Sequence, residues 1–143
     1  MKRQTLLFST FCTLGLGFFG GMFYSSWLKD NVCAQIVSVH AADTFTVNMV
    51  GWPEVVGKKI GIRIKGIDTP ELHDKRAEMR AKAMIARTFT CLKLKSASVI
   101  TLQNLSRDKY FRLDADVLVD GQDLGKMLLE RKLAVPYDGG TKH

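Results

Sequence analysis

Asp68, Thr69 and Glu71 fall within four positions in G-I-D-T-P-E-L, residues 66–72, with Pro70 among them. Just upstream, K-K-I-G-I-R-I-K (58–65) alternates isoleucine with cations and carries Arg63. A basic strand that ends in a tight acidic turn has two readings. One is a stable surface loop, since Asp is a common turn former. The other is a metal site beside a phosphate site. Taken singly, Glu71 reads as a first-turn helix acid, and Arg63 and Arg112 as solvated strand cations.

The elements around these residues follow from periodicity. A-Q-I-V-S-V-H (34–40) and T-F-T-V-N-M-V (44–50) alternate as strands do, with A-A-D as the turn between them. G-W-P-E-V-V-G-K-K (51–59) breaks the pattern and reads as a loop. K-I-G-I-R-I-K-G-I (59–67) is a third strand. Ile60, Ile62 and Ile64 share one face, and Lys59, Arg63 and Lys65 the other. Pro70 disfavours helical geometry at Thr69 and separates strand from helix.

A helix is expected from Glu71 or Lys75 to Leu92, with Ala77, Ala81, Met84, Ile85, Thr88 and Leu92 on its core face. Strands come next over 97–105 and 109–119. Asp120-Gly121 turns the chain, and Asp123 caps a short helix over 124–132. L-A-V-P-Y (133–137) is a last extended piece. The order fits a mainly β fold with α: a five-stranded Greek-key barrel of the OB type, a helix between strands three and four, and a short C-terminal helix. Periodicity alone leaves other α+β folds open.

The first segment differs in kind. Residues 4–28 carry no charge, Lys2 and Arg3 precede them, and Lys29 and Asp30 close the run. About 20 apolar residues suffice to span a bilayer, and the leading cations favour export of the chain beyond the apolar run. Residues 1–34 are therefore an N-terminal transmembrane or signal helix. The run exceeds the usual length of a cleaved signal, which favours a retained anchor. Val32-Cys33-Ala34 is the candidate cleavage site. Residues 35–143 form one domain, exported to a periplasmic or extracellular space, and secreted if the chain is cut.

The chain has 143 residues and a formal net charge of +7. Most of that excess lies after residue 34, which is compatible with a polyanionic partner such as nucleic acid, or with an anionic membrane surface. The three cysteines exclude a disulfide framework. Cys33 and Cys91 could pair in an oxidising compartment, though Cys91 reads more simply as a small apolar helix residue. No zinc-type motif is present. His40 and His73 sit at element ends and show no partner in sequence, and a hard cation does not select imidazole.

Four pieces occur in order: A-D-T (42–44), I-R-I-K-G-I-D-T-P-E (62–71), D-K-Y-F-R-L-D-A-D-V (108–117) and L-A-V-P-Y-D-G-G (133–140). This order and spacing resembles the staphylococcal nuclease, or thermonuclease, family over residues 35–140. The resemblance implies a calcium-dependent phosphodiesterase on an OB barrel, acting on DNA and RNA with little sequence preference. It implies that Asp43 and Asp68 hold calcium through carboxylates and Thr69 through its carbonyl. Arg63 and Arg112 would grip the scissile phosphate, and Glu71 would be the general base. Lys109 and Tyr110 would contact a nucleotide phosphate, and Tyr137 would line the nucleotide pocket. A monomer without a protein partner is expected.

Elementary chemistry agrees with these roles. Calcium takes oxygen ligands and polarises a phosphoryl oxygen. Guanidinium offers paired donors and keeps its proton. A carboxylate near bound water accepts its proton. The sequence also departs from the family pattern. Ala41 stands where an aspartate is usual, Phe111 replaces a glycine, and Asp114, where an apolar residue is common, could pair with Arg112. These departures define the alternative: a catalytically weakened or inactive OB module that binds nucleic acid or a protein partner at the membrane.

Overall fold

Alternation of apolar side chains builds the sheet. Phe45, Val47 and Met49 point inward from β2 (Thr44–Met49), and Ile62 and Ile64 from β3 (Ile60–Ile64). The structure is a computed structural model that describes residues 31–108, 110 and 112–139. The N-terminal apolar run and the last four residues lie outside the described residues.

The first strand, β1 (Val32–Val39), pairs antiparallel with β2, and β2 with β3. Further strands are β5 (Ile100–Arg107) and β6 (Leu113–Val119). β1 pairs with β5, β5 with β6, and β6 returns to β3 in parallel. The five strands therefore close on themselves in the order β3-β2-β1-β5-β6. This closed, mainly β barrel is consistent with the OB type. A second, two-stranded sheet joins β4 (Ile67–Asp68) to β8 (Val135–Pro136). Closure abolishes unpaired sheet edges, and Phe45, Ile62, Leu102 and Val117 fill the interior without exposure. Each contributes about 1.5–3 kcal/mol by leaving water.

The element boundaries differ from the sequence reading in several places: β1 starts at Val32, the long helix runs on to Ser96, and β5 and β6 start at Ile100 and Leu113. G-W-P-E-V-V-G-K-K contains one helical turn, α1 (Glu54–Gly57). The third strand stops at Ile64, and Gly66, at φ 72°, turns the chain into β4. The long helix, α2 (Ala77–Ser96), starts later than Glu71 or Lys75. Asp74 accounts for the delay: it accepts from the Arg76 backbone N–H at 2.8 Å and ion-pairs with the Arg76 guanidinium at 2.9 Å. Those side-chain bonds hold the Asp74 carboxyl down at about 2.

The core face of α2 is a correction. Ala83, Ala86, Thr90 and Leu94 are buried. The stripe expected inward, with Ala77, Ala81, Met84, Ile85, Thr88 and Leu92, faces solvent. Ala83, Ala86 and Thr90 let the helix pack close, Leu94 reaches into the core, and Met84, Ile85 and Leu92 are left outside.

The distal turn and helix cap match expectation, though the last helix ends at Glu130, short of 132. Asp120 and Gly121 form the turn, both at positive φ. Between β6 and the last helix lies β7 (Gln122–Asp123). The Asp123 carboxylate caps α3 (Leu124–Glu130) by accepting from Lys126 N–H at 3.0 Å. Cys33 and Cys91 are both free. Among the described residues, no helix is long and apolar enough to cross a membrane.

Candidate functional site

The β2–β3 register sets Thr44 against Arg63. Asp43, the residue before Thr44, is thereby placed beside the outward face of β3. The turn at Gly66 then brings Asp68 back to the same place. Arg63 lies between the two acids: its Nη1 is 3.4 Å from Asp43 Oδ2, and its Nη2 is 3.2 Å from Asp68 Oδ1. Its Nη2 also donates to the Ile67 carbonyl at 3.5 Å. Its guanidinium carbon stands 5.8 Å from the Tyr137 ring centroid. Tyr137 is held there by its own N–H, which donates to the Gly66 carbonyl at 3.0 Å.

Asp43 and Thr69 are both buried, although polar side chains are costly to desolvate unless partnered. Asp43 is well supported. Thr44 Oγ1 donates to its Oδ1 at 3.0 Å, and its carbonyl accepts from Ile64 N–H at 2.9 Å. The turn that carries it is pinned from the helix side. Thr90 Oγ1 donates to the Ala42 carbonyl at 2.8 Å, and Arg87 Nη2 to the Val39 carbonyl at 2.9 Å. These two α2 residues carry no motif signal, and helical periodicity alone does not select them.

Asp68 and Thr69 line a cleft of about 470 Å³ together with Pro70, Glu71, Met79 and Lys82. Glu71 is exposed in the loop ahead of α2, not in its first turn. Across β4, Arg63, Asp114 and Tyr137 line a second hollow of about 370 Å³. The Arg63–Asp68 pair thus stands between two concave surfaces.

Arg112 is engaged elsewhere. Arg112 directly precedes β6, and its side chain lies against β3 at Gly61, which leaves room: a Cβ there would stand 3.2 Å from Arg112 Cγ. Its Nε and Nη2 both contact Asp108 Oδ2, at 2.9 and 2.8 Å. Asp108 Oδ1 accepts the backbone N–H groups of Tyr110 and Arg112, at 2.7 and 3.0 Å. Burial alone would raise the Asp108 carboxyl. The Tyr110 N–H and the Arg112 side chain and N–H outweigh it and hold it below the usual carboxylate range. The Arg112 guanidinium carbon stands 5.2 Å from the Tyr110 ring centroid.

Asp114, which could have paired with Arg112, does not: the partner is Asp108, four residues before Arg112. Asp114 is instead the parallel register partner of Arg63. Its Oδ1 is buried with no hydrogen-bond partner among the described residues. Lys109 lies outside the described residues. His40 does have partners: its Nε2 is 2.9 Å from Thr46 Oγ1 and 3.2 Å from Ser38 Oγ.

The donor types suit a hard cation: two aspartate carboxylates flank the Arg63 guanidinium, and Thr69, next to Asp68, carries a backbone carbonyl. Among the described residues, no group of three or more His, Cys, Asp or Glu could hold a metal ion. A cation here would take two carboxylates, with carbonyl and water oxygens completing its shell.

A family model described as Staphylococcal nuclease homologue matches residues 61–142, more than half of the chain. The match takes in Arg63, Asp68, Thr69, Glu71 and Arg112 and begins after Asp43. No curated protein matches the chain.

Proposed function

The chain belongs to the staphylococcal nuclease homologue family, and from that membership we propose that it is a calcium-dependent phosphodiesterase that hydrolyses DNA, RNA or both with little sequence specificity. The convergence of Asp43 and Asp68 on Arg63 is the observation that carries this reading. Asp43, Asp68 and the Thr69 carbonyl would hold the ion. Calcium, when bound there, neutralises charge and polarises a phosphoryl oxygen.

The chain's own residues do the rest. A phosphate that approaches the two aspartates meets the Arg63 guanidinium, which can donate two parallel hydrogen bonds. Glu71, on the rim of the adjoining cleft, takes the proton of the attacking water. Arg112 adds a second cation once it leaves Asp108, matching charge that builds in the transition state. Tyr137 offers a ring beside Arg63 for the nucleotide, and Lys109 and Tyr110 contact its phosphate. The domain acts outside the cytoplasm as a monomer, with residues 4–28 holding it to the membrane.

Plasmid nicking by the full chain, with calcium and then with chelator, tests the proposal. Nicking that depends on the ion is expected. Equal products under both conditions, or none with calcium, would sink it.

The Asp108–Arg112 pair favours a second reading, a nucleic-acid-binding module with weakened or absent catalysis. Such a module retains oligonucleotide without cutting it, and is indifferent to Glu71→Gln.

A further inference from the structure

The β1–β2–β3 meander has two ends. One bears the Asp43 turn, Arg63 and Asp68. At the other, β2 finishes at Met49, and Val50 N–H donates to the Cys33 carbonyl at 2.9 Å. The β2–β3 loop is thereby fixed beside the first residues of β1.

This loop presents apolar side chains outward. Val50 is 52% exposed, Trp52 44%, Val55 90% and Val56 49%. Its backbone is internally bonded. The N–H groups of Val56 and Gly57 both donate to the Pro53 carbonyl, at 3.0 and 2.9 Å. Gly57 is buried against Trp52, where a Cβ would stand 2.6 Å from the Trp52 Cβ. A glycine is thus required for Trp52 to take its outward-facing place. Apolar patches rimmed by polar groups mark contact surfaces; Lys58 and Lys59 are exposed beside this one, Lys58 paired at 3.1 Å with the loop's own Glu54, which leaves Lys59 as the excess cation.

The position of the loop says what it meets. Residues 4–28 carry no charge, and Leu28 lies three residues before Asn31. Extended chain covers at most about 3.6 Å per residue, so the uncharged run ends within about 11 Å of Asn31. Asn31 is tied to the barrel: its Oδ1 accepts from Gln103 Nε2 at 2.6 Å. A cut after Ala34 would strip β1 of Val32, Cys33 and Ala34, the residues that pair with β5. Tryptophan settles at the bilayer interface, and a lysine beside it, here Lys59, meets anionic headgroups.

We propose that the loop of residues 50–56 seats in the interface of an anionic lipid bilayer. The aspartates are then held one strand length away, about 17 Å from Thr44 to Met49 at 3.4 Å per residue. The inference rests on membrane anchoring through residues 4–28 and is independent of nuclease chemistry.

The test uses the full chain with Trp27→Phe, which leaves Trp52 as the single tryptophan. It is reconstituted in phosphatidylcholine–phosphatidylglycerol vesicles whose acyl chains carry bromine near the headgroups. Trp52 emission is expected to shift to the blue and to be quenched by the brominated lipid. Quenching should fall severalfold in a Val55→Glu, Val56→Glu double variant, whose sites are too exposed to unfold the domain. It should be unchanged by Ile85→Ser, which alters an exposed apolar residue of α2; an equal loss there would overturn the assignment to the loop. Protein that floats with the vesicles without quenching overturns the docking. A blue shift without quenching that grows with protein density means a second copy covers the loop, and also overturns it. Failure to float removes the anchor and the inference with it, while plasmid nicking reads the nuclease function separately.

Discussion

Asp108 takes both Nε and Nη2 of Arg112 on a single carboxylate oxygen, at 2.9 and 2.8 Å. An arginine so held must give up that pair before it can meet a phosphate. Asp108→Asn keeps an acceptor for the Tyr110 and Arg112 N–H groups but removes the charge. Hydrogen bonds to charged groups contribute about 1.5–3 kcal/mol. Part of that is returned to binding, so oligonucleotide affinity should rise severalfold, up to about tenfold. Fluorescence anisotropy with a labelled oligonucleotide reads it; unchanged or weaker binding would show that Asp108 positions Arg112 and does not restrain it.

The same pair has an acid limit. The folded-state pKa of Asp108 lies below its unfolded value of about 3.9. The pair's contribution is therefore complete above that pH and is lost as pH falls through the folded value. The stability difference between wild type and Asp108→Asn should shrink as pH drops below about 4. Urea unfolding across that range measures it, and a constant difference would contradict the linkage.

Glu71 stands on the rim of the cleft, exposed and outside any helix. Removing a general base costs about 10²–10⁴ in rate. Glu71→Gln should lose turnover on that scale and bind oligonucleotide as wild type does. Single-turnover cleavage set against anisotropy separates the two, and an undiminished rate would leave the attacking water to another group.

Arg63 is the counter-charge of both aspartates. Breaking a buried pair from one side costs about 3–5 kcal/mol, and partial exposure places Arg63→Ala at the lower end. The variant leaves Asp43 and Asp68 without the cation they share. Calcium should then raise its melting temperature more than that of wild type, as expected for a ligand of the native state alone. Equal shifts, or none, would remove the two aspartates as the calcium site.

Thr90 anchors the Asp43 turn through the Ala42 carbonyl. Thr90→Val keeps the shape and leaves a buried carbonyl unpaired, a loss of about 1–3 kcal/mol. Calcium-dependent stabilisation should weaken in parallel. A variant that unfolds earlier yet responds to calcium as wild type does would restrict Thr90 to packing.

Much of this architecture is legible in the residues themselves. Alternation at Phe45, Val47 and Met49, and at Ile62 and Ile64, specifies strands because neighbouring side chains point to opposite faces. Asp120-Gly121 and Asp123 specify a turn and a cap through backbone chemistry alone. Arg63, Asp68 and Glu71 are close in sequence, and the glycine and proline between them already imply a compact corner. Helix α2 shows where periodicity stops. It has two apolar stripes, and the spacing of Met84, Ile85 and Leu92 is as regular as that of Ala83, Ala86, Thr90 and Leu94. Only packing against the barrel selects Ala83, Ala86, Thr90 and Leu94 and leaves Met84, Ile85 and Leu92 in water. The choice of Asp108 over Asp114 as partner of Arg112 is likewise tertiary. Both acids are near in sequence, but the β3–β6 register sets Asp114 beside Arg63 while the loop before β6 folds Asp108 back onto Arg112. Residue types and spacing determine which chemistry is available; strand register and helix packing decide which charges meet, because those contacts depend on distances no local pattern encodes.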